Sequence, residues 1–98
     1  MAITVRPIFV NDASGVEFPY VEEISSPDCD YIQYILQNNF DDAYIDCQES
    51  ERLGVFIINV EDTEDNKKKV MNIFELNTLN LSYIPAFQPS THVRFDIV

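Results

Sequence analysis

The sequence predicts one α+β domain in which two helices cover one face of a mainly antiparallel sheet. The chain has 98 residues, the size of a single domain with one core. Apolar residues make up 46% of it, with seven Phe and five Tyr but only two Gly, a composition typical of a folded protein rather than a disordered one. Short alternating runs flank two segments with helical periodicity, so we expect strands and helices in one domain spanning residues 1–98.

The N-terminal residues predict a hairpin. Residues 3–10 are expected to form a first strand that is interrupted or kinked at Pro7, because proline cannot donate to a ladder and is typical of an edge or a bulge. Residues 11–15 (NDASG) have turn chemistry. Residues 16–24 then predict a short second strand that pairs with the first.

A first helix is expected to begin at the stretch Ser25-Ser26-Pro27-Asp28. Serine caps free N–H groups, proline suits the first helical position, and acids favour the positive end of a helix. The helix is expected to run through Asn38, where Asn38-Asn39 suits a left-handed stop. Its apolar face is formed by Tyr31, Ile32, Ile35 and Leu36.

Two strands are predicted after this helix. Residues 43–48 alternate, with Ile45 and Cys47 on one face, and lead into a turn over residues 50–54. Residues 55–60 (VFIINV) are the best candidate for a central strand that is buried on both sides.

A second helix is predicted over residues 63–76, capped by Asp62 or Thr63. Its apolar stripe is Val70, Ile73 and Phe74. The alternative is a pair of strands around an Asn77-Thr78 turn, because Asn, Thr and Val are mediocre helix formers.

The C-terminal residues predict two further strands, over residues 79–84 and 92–98, joined by a loop that contains Pro85 and Pro89. In the last strand the inward residues are Val93, Phe95 and Ile97. The resulting order contains the βαββαβ order of ferredoxin-like domains with an added C-terminal strand. Because that architecture hosts many activities, function has to be argued from the residues.

No residue pattern points to catalysis, and we expect a non-enzymatic protein without a cofactor. Gly15 and Gly54 stand in no phosphate-binding loop. His92 is the only histidine, and the alternation of its strand places it toward solvent without a paired nucleophile. Pairs of carboxylates need a substrate cleft that a domain of this size rarely encloses, so solvated acids are the simpler interpretation.

The acidic residues 61–66 are similar to the start of a calcium loop but do not continue as one. With Asp62 at the first position, Lys67 stands where such loops have glycine, and Ile73 stands where they have a bidentate glutamate. We therefore predict no metal site.

The sequence predicts a cytoplasmic protein, or one in the host cytoplasm if it is phage-encoded. The first residues lack the basic and apolar segments of an export signal, and no apolar run approaches the roughly 18 residues needed to span a bilayer. Cys29 and Cys47 are accordingly expected as buried free thiols rather than as a disulfide.

The net charge of −11 comes from one stretch of the chain. Residues 11–51 contain eleven acids and no Lys or Arg, whereas the six acids elsewhere balance six bases. A nucleic acid backbone or an anionic membrane would repel such a chain, so we expect neither as a direct partner. A surface of one sign suits a basic protein partner instead.

We expect the acids of this stretch to form the contact face for that partner. On a strand, acids two residues apart are about 6.6–7 Å apart, which is close to the phosphate spacing along a nucleic acid strand. Tyrosines supply the large amphipathic side chains that interfaces favour. The candidate partner-binding residues are Glu22, Glu23, Asp28, Asp30, Tyr34, Asp41, Asp42, Tyr44 and Asp46.

Two classes of function follow from these observations. The first is a small acidic inhibitor that blocks a basic, nucleic-acid-handling protein, such as a nuclease or a CRISPR-type effector, by charge mimicry. In size and charge the chain is similar to DNA-mimic, anti-CRISPR, anti-restriction and nuclease-immunity proteins, without a shared motif. The alternative is a non-enzymatic structural or assembly subunit of a larger phage or bacterial complex, docked by its edge strands. A monomer and a homodimer both fit the sequence.

Overall fold

The computed structural model describes residues 2–19, 24–81 and 90–98. These residues form an α+β domain with one five-stranded antiparallel sheet and three α-helices. The elements are β1 (Ile3–Asn11), β2 (Glu17–Pro19), α1 (Ser26–Asn39), β3 (Tyr44–Ile45), α2 (Cys47–Leu53), β4 (Phe56–Asn59), α3 (Glu64–Leu76), a 3-10 turn (Thr78–Asn80) and β5 (Thr91–Ile97).

β1 is the central strand, and it is paired along both of its edges. Val5 lies opposite Phe56 of β4 and also opposite Ile97 of β5, so β4 and β5 occupy different edges of β1. Ile8 lies opposite Pro19 of β2 and also opposite Arg94 of β5, so β2 and β5 occupy different edges of β1. β2 therefore pairs along the same edge as β4. β3 continues the sheet beyond β4.

Pro7 lies inside β1 without interrupting it, so the predicted break at this residue is wrong. The N–H groups of odd-numbered β1 residues point to the edge shared by β4 and β2, as the bond from the Asn11 N–H to the Val16 carbonyl shows. Pairing with β4 ends at Val5, and the described pairing with β2 covers Ile8 to Val10. Among the described residues, none on this edge is therefore paired with Pro7, and its missing N–H removes no ladder bond to them.

α1 begins as the sequence predicts. The Ser25 hydroxyl accepts a hydrogen bond from the Asp28 N–H at 3.3 Å, and proline occupies the first turn. The helix ends at Asn39, one residue after the predicted end. Its buried face contains Cys29, Ile32 and Leu36, which pack into the core.

The predicted strand over residues 43–48 and the predicted turn over residues 50–54 are replaced by the short strand β3 and the helix α2. Asp46 ends the strand because its carboxylate caps α2, accepting a hydrogen bond from the Glu49 N–H at 3.1 Å. Gly54 ends the helix in the left-handed region with φ +69°. Asp46 followed three residues later by Glu49 is a sequence signal for the start of a helix, but the alternating pattern of residues 43–48 predicted a strand instead.

α3 confirms the second predicted helix and excludes the alternative of a strand at residues 74–76. Thr63 caps it, accepting a hydrogen bond from the Asn66 N–H at 3.1 Å. The strand predicted from residue 79 does not begin there, because Thr78–Asn80 forms a 3-10 turn. Residues 82–84, Pro85 and Pro89 lie outside the described residues.

Among the described residues, the remaining predicted strands differ from the structure in length and in burial. β2 covers three residues of the predicted range 16–24, of which residues 20–23 lie outside the described part of the chain. β4 alternates between buried and half-buried residues, so it is not buried on both sides. With α2 and the 3-10 turn among the elements, the ferredoxin-like order is not confirmed.

The core lies between one face of the sheet and the helices α1 and α3. The ring of Phe74 on α3 packs between Phe56 of β4 and Phe95 of β5, with centroid distances of 4.8 and 5.1 Å. Val93 and Ile97 pack against the same core, as the sequence predicts for the last strand.

Candidate functional site

The acids of the β1–β2 hairpin are paired with bases from β5. Arg94 donates to both carboxylate oxygens of Glu17 and also to Asp96. Its guanidinium lowers the pKa of Glu17 and of Asp96, mainly through these hydrogen bonds. Asp12 contacts the His92 ring in the same region. Although Asp12 and Glu17 belong to the predicted acidic stretch, the fold pairs both of them.

Other bases are engaged with acids close to them in sequence. Arg52 pairs with Glu49 within α2, and this pairing lowers the pKa of Glu49. Lys67 lies 3.4 Å from Asp62 and 3.5 Å from Glu64, which both lie outside residues 11–51. The Lys67 amine therefore does not neutralise the predicted contact face.

Two of the predicted site residues, Asp28 and Asp46, are not exposed surface acids, and two others lie outside the described residues. Asp28 is only 3% exposed, since it lies on the inner side of the first turn of α1. Asp46 is half-buried, and its carboxylate is used as the cap of α2 rather than standing on a strand. Glu22 and Glu23 lie outside the described residues.

Asp30, Asp41 and Asp42 are exposed, and no described Lys, Arg or His forms an ion pair with any of them. Asp30 is on the outer face of α1, and the other two are in the loop between α1 and β3. Asp41 and Asp42 line an open cleft of about 600 Å³ at one end of the sheet. The cleft is lined by Ala2, Phe40, Asp41, Asp42, Ala43, Asn59, Val60, Glu61 and Asn66. Because the carboxylates of Asp41, Asp42 and Glu61 lie in its wall, we call this cleft the acidic cleft.

The sequence prediction missed Glu61 as a member of this group. Tyr44 lies opposite Asn59 in the antiparallel β3–β4 pair, so the residues before β3 and after β4 leave the sheet at the same end, where Asp41, Asp42 and Glu61 line one cleft. A hairpin pairing of the two predicted strands would have found this position. The carbonyl of Glu61 accepts a hydrogen bond from the Asn66 side chain at 2.9 Å, which ties the strand end to α3.

One base lies beside the acidic cleft without forming an ion pair with it. The Lys69 amine sits 5.4 Å from the centroid of the Phe40 ring, a cation–π distance. Phe40 is itself part of the cleft wall. The Lys69 charge reduces the negative potential at this edge of the cleft.

The two predicted anchor tyrosines are both exposed, but they lie on different sides of the molecule. Tyr34 is 66% exposed on the outer face of α1. Tyr44 is 55% exposed, and the next residue along the strand, Ile45, points into the core beneath α1. Tyr44 therefore stands on the sheet face that points away from the helices. It lies next to the cleft residues Ala43 and Asn59, whereas Tyr34 does not share that face.

Two acids, Asp30 and Glu51, lie near the cysteines Cys29 and Cys47, which are both free thiols. Burial raises the pKa of the Cys29 thiol, and the hydrogen-bonded Cys47 thiol and the charges of Glu51 and Asp30 raise it further. The Cys47 thiol also donates to the Gln33 side chain at 3.6 Å. A protonated buried thiol is a poor nucleophile.

The described part of the chain offers no cluster of metal ligands. Among residues 2–19, 24–81 and 90–98, no three His, Cys, Asp or Glu side chains are grouped closely enough to bind a metal ion. None of the helices in these ranges has the length and apolar character of a membrane span. No protein-family model, curated protein or solved structure shows a significant match to the chain.

Proposed function

We propose that this protein is a small acidic inhibitor that binds the basic, nucleic-acid-binding surface of another protein and blocks it. The observation that carries the proposal is the acidic cleft. Asp41 and Asp42 are exposed and have no ion-pair partner among the described residues, while the acids of the β1–β2 hairpin are paired with β5. Among the described acids of residues 11–51, Glu17 and Glu49 pair with arginines, whereas Asp30, Asp41 and Asp42 are exposed without an ion-pair partner.

The mechanism rests on charge complementarity and exclusion. A groove that binds nucleic acid presents Lys and Arg side chains to the phosphates. Clustered carboxylates can pair with the same Lys and Arg side chains, because these contacts do not read the nucleotide sequence. Tyr44, beside the cleft, offers a large amphipathic side chain to the partner. While the inhibitor is bound, nucleic acid cannot enter the groove. The partner classes that fit are nucleases and CRISPR-type effectors.

Capture from a lysate of the source organism tests this proposal. Immobilised wild-type protein is compared with the D41K/D42K variant and with a control, D12K/E75K, that changes the net charge equally. Asp12 and Glu75 are exposed, and Asp12 follows the far end of β1, about 34 Å from Ala2 in the cleft wall at 3.4 Å per residue. Captured proteins are identified by mass spectrometry, and duplex DNA is then added as a competitor.

We expect the wild type and the control to capture the same basic, nucleic-acid-binding protein, and D41K/D42K to capture at least about tenfold less of it. Duplex DNA should release the captured protein. Equal capture by D41K/D42K contradicts the proposal, as does capture that DNA does not affect. Circular dichroism of all three proteins establishes that the variants are folded.

A second candidate function is an assembly subunit that docks through an edge strand. The observation that favours it is β5, a seven-residue strand that pairs with β1 alone among the described residues. Backbone pairing depends little on salt, whereas charge mimicry weakens as salt rises. Partner binding that is insensitive to salt would support this candidate over the inhibitor.

A further inference from the structure

β5 presents one row of backbone groups away from β1. The Val98 N–H bonds to the Thr4 carbonyl at 3.0 Å, and the Asp12 N–H bonds to the Ser90 carbonyl at 2.6 Å. Both bonds fit the register of the β1–β5 ladder. Even-numbered residues of β5 therefore bond to β1, and the N–H and C=O groups of the odd-numbered ones point outward. Among the described residues β5 has no other strand partner.

The opposite edge of the sheet is closed by the chain itself. β3 has only two residues, and the Gln33 side chain accepts from the Ile45 N–H at 3.3 Å. On β4, the Ile57 carbonyl accepts from the Asp46 N–H, and the Ile57 N–H donates to the Ser50 hydroxyl at 2.9 Å. Proteins commonly shorten or cover an edge strand in this way. β5 is longer and contains no proline, so the two edges differ in kind.

We infer that the β5 edge binds a second copy of this chain, in an antiparallel pair of β5 strands centred on Phe95. Centring on Phe95 places Val93 opposite Ile97 of the second copy. The hydrogen-bonded facing pairs then consist of the odd-numbered residues, whose backbone groups point outward. Three such facing pairs exchange roughly six hydrogen bonds, because each hydrogen-bonded pair exchanges two.

Charge complementarity selects this register. In it, Arg94 lies opposite Asp96 of the second copy, and the reverse pair forms by symmetry. Within one chain Arg94 already donates to Asp96 at 2.8 Å, so the pairing creates a cluster of alternating charges on the sheet face opposite the helices. A register centred on Arg94 would instead put two guanidinium groups opposite each other, and their repulsion disfavours that register.

The charge of the whole chain also favours this edge over others. At −11, two copies repel each other, and contact is least costly where each copy is locally neutral. Around β5 the bases Arg6 and Arg94 offset Glu17 and Asp96. The acidic cleft lies at the β3–β4 side of β1, so pairing through β5 leaves both clefts free.

Residue-resolved hydrogen exchange of the wild-type chain tests this inference directly. At low-micromolar concentration the amides of Val93, Phe95 and Ile97 should exchange fast, while those of His92, Arg94 and Asp96 are protected by β1. At millimolar concentration and physiological salt, we expect a dimer by sedimentation and at least about tenfold slower exchange of the three odd-numbered amides. Added salt should favour the dimer by screening the net repulsion.

Two variants at one position sharpen the test. V93P removes an outward N–H, which an edge strand tolerates when that group faces solvent, and it should abolish the dimer. V93T keeps the N–H and should leave the dimer intact. A chain that stays monomeric at millimolar concentration overturns the inference. So does a dimer whose odd-numbered amides still exchange fast, even if V93P fails to fold.

Discussion

Arg94 on β5 and Glu17 on β2 form a two-pronged ion pair across the intervening strand β1, with guanidinium-to-carboxylate distances of 2.7 and 3.0 Å. Arg94 lies opposite Ile8 and Glu17 lies opposite Val10, so the pair crosses the sheet face that the helices leave uncovered. Through this contact the fold neutralises Glu17, an acid of the stretch 11–51, which itself contains no Lys or Arg.

Removing the Arg94 charge is expected to raise the pKa of Glu17 and of Asp96. Both carboxyls have a pKa below the ordinary value because they accept hydrogen bonds from Arg94. A lowered folded-state pKa means that the charged form stabilises the fold above the ordinary pKa, and that this contribution is lost as pH falls through the folded-state pKa. NMR titration of the side-chain carboxyl carbons in R94Q measures both pKa values.

R6Q provides the matched control for that titration. Arg6 contributes to the lowered pKa of Asp96 but not to that of Glu17. The R6Q variant should therefore raise the Asp96 pKa slightly and leave Glu17 unchanged. If Glu17 titrates identically in wild type and R94Q, the ion pair does not form in solution.

Replacing Ser50 by alanine should destabilise the domain by about 1–3 kcal/mol, because it removes the acceptor of a half-buried N–H, that of Ile57. Ser50 is 0% exposed, and its hydroxyl accepts from the Ile57 N–H at 2.9 Å. Urea unfolding of S50A measures the loss. Q48A, in the same helix at an exposed position, should change stability by less than about 0.5 kcal/mol. A similar small change in S50A would show that the bond contributes little.

Truncating Phe74 should destabilise the domain more than the loss of the Ser50 hydroxyl does, because it opens a cavity in the core. The Phe74 ring packs between Phe56 and Phe95 and is fully buried, so F74A is expected to lose about 3–5 kcal/mol in the free energy of unfolding. The milder F74L keeps the measurement possible if F74A does not fold. L76A is the control, because Leu76 on the same helix is 74% exposed. Equal losses in F74L and L76A would contradict the described core.

Local signals in the sequence predicted the long helices well. α1 follows from the serine cap, the proline and the apolar spacing, which all lie within the segment itself. α2 was missed because residues 43–48 also alternate, and the acid at residue 46 was assigned to a strand face rather than to a cap. The continuity of β1 through Pro7 depends on its pairing with β5 along one edge and on the end of the β4 pairing at Val5, which no local pattern reveals.

The candidate site was only partly predictable for a similar reason. The charge excess of residues 11–51 is visible in the sequence, but its cancellation at Glu17 comes from Arg94, 77 residues away. Asp28 carries the same charge as Asp30 and differs from it in burial, which is set by its position around α1. Tyr34 and Tyr44 are grouped as anchors because both lie among the acids of the sequence, although the fold places them on different faces.

The salt dependence of partner affinity tests the central claim most directly. Dissociation constants of the captured basic protein are measured by titration calorimetry over a salt series for wild type, D41K/D42K and D12K/E75K. Because the carboxylates of the acidic cleft are proposed to contact the partner, we expect wild-type affinity to fall steeply as salt concentration rises. The slope of affinity against salt should be shallower for D41K/D42K and close to that of wild type for the control. Equal slopes for D41K/D42K and wild type would contradict the account, because the cleft would then contribute no charge to the interface.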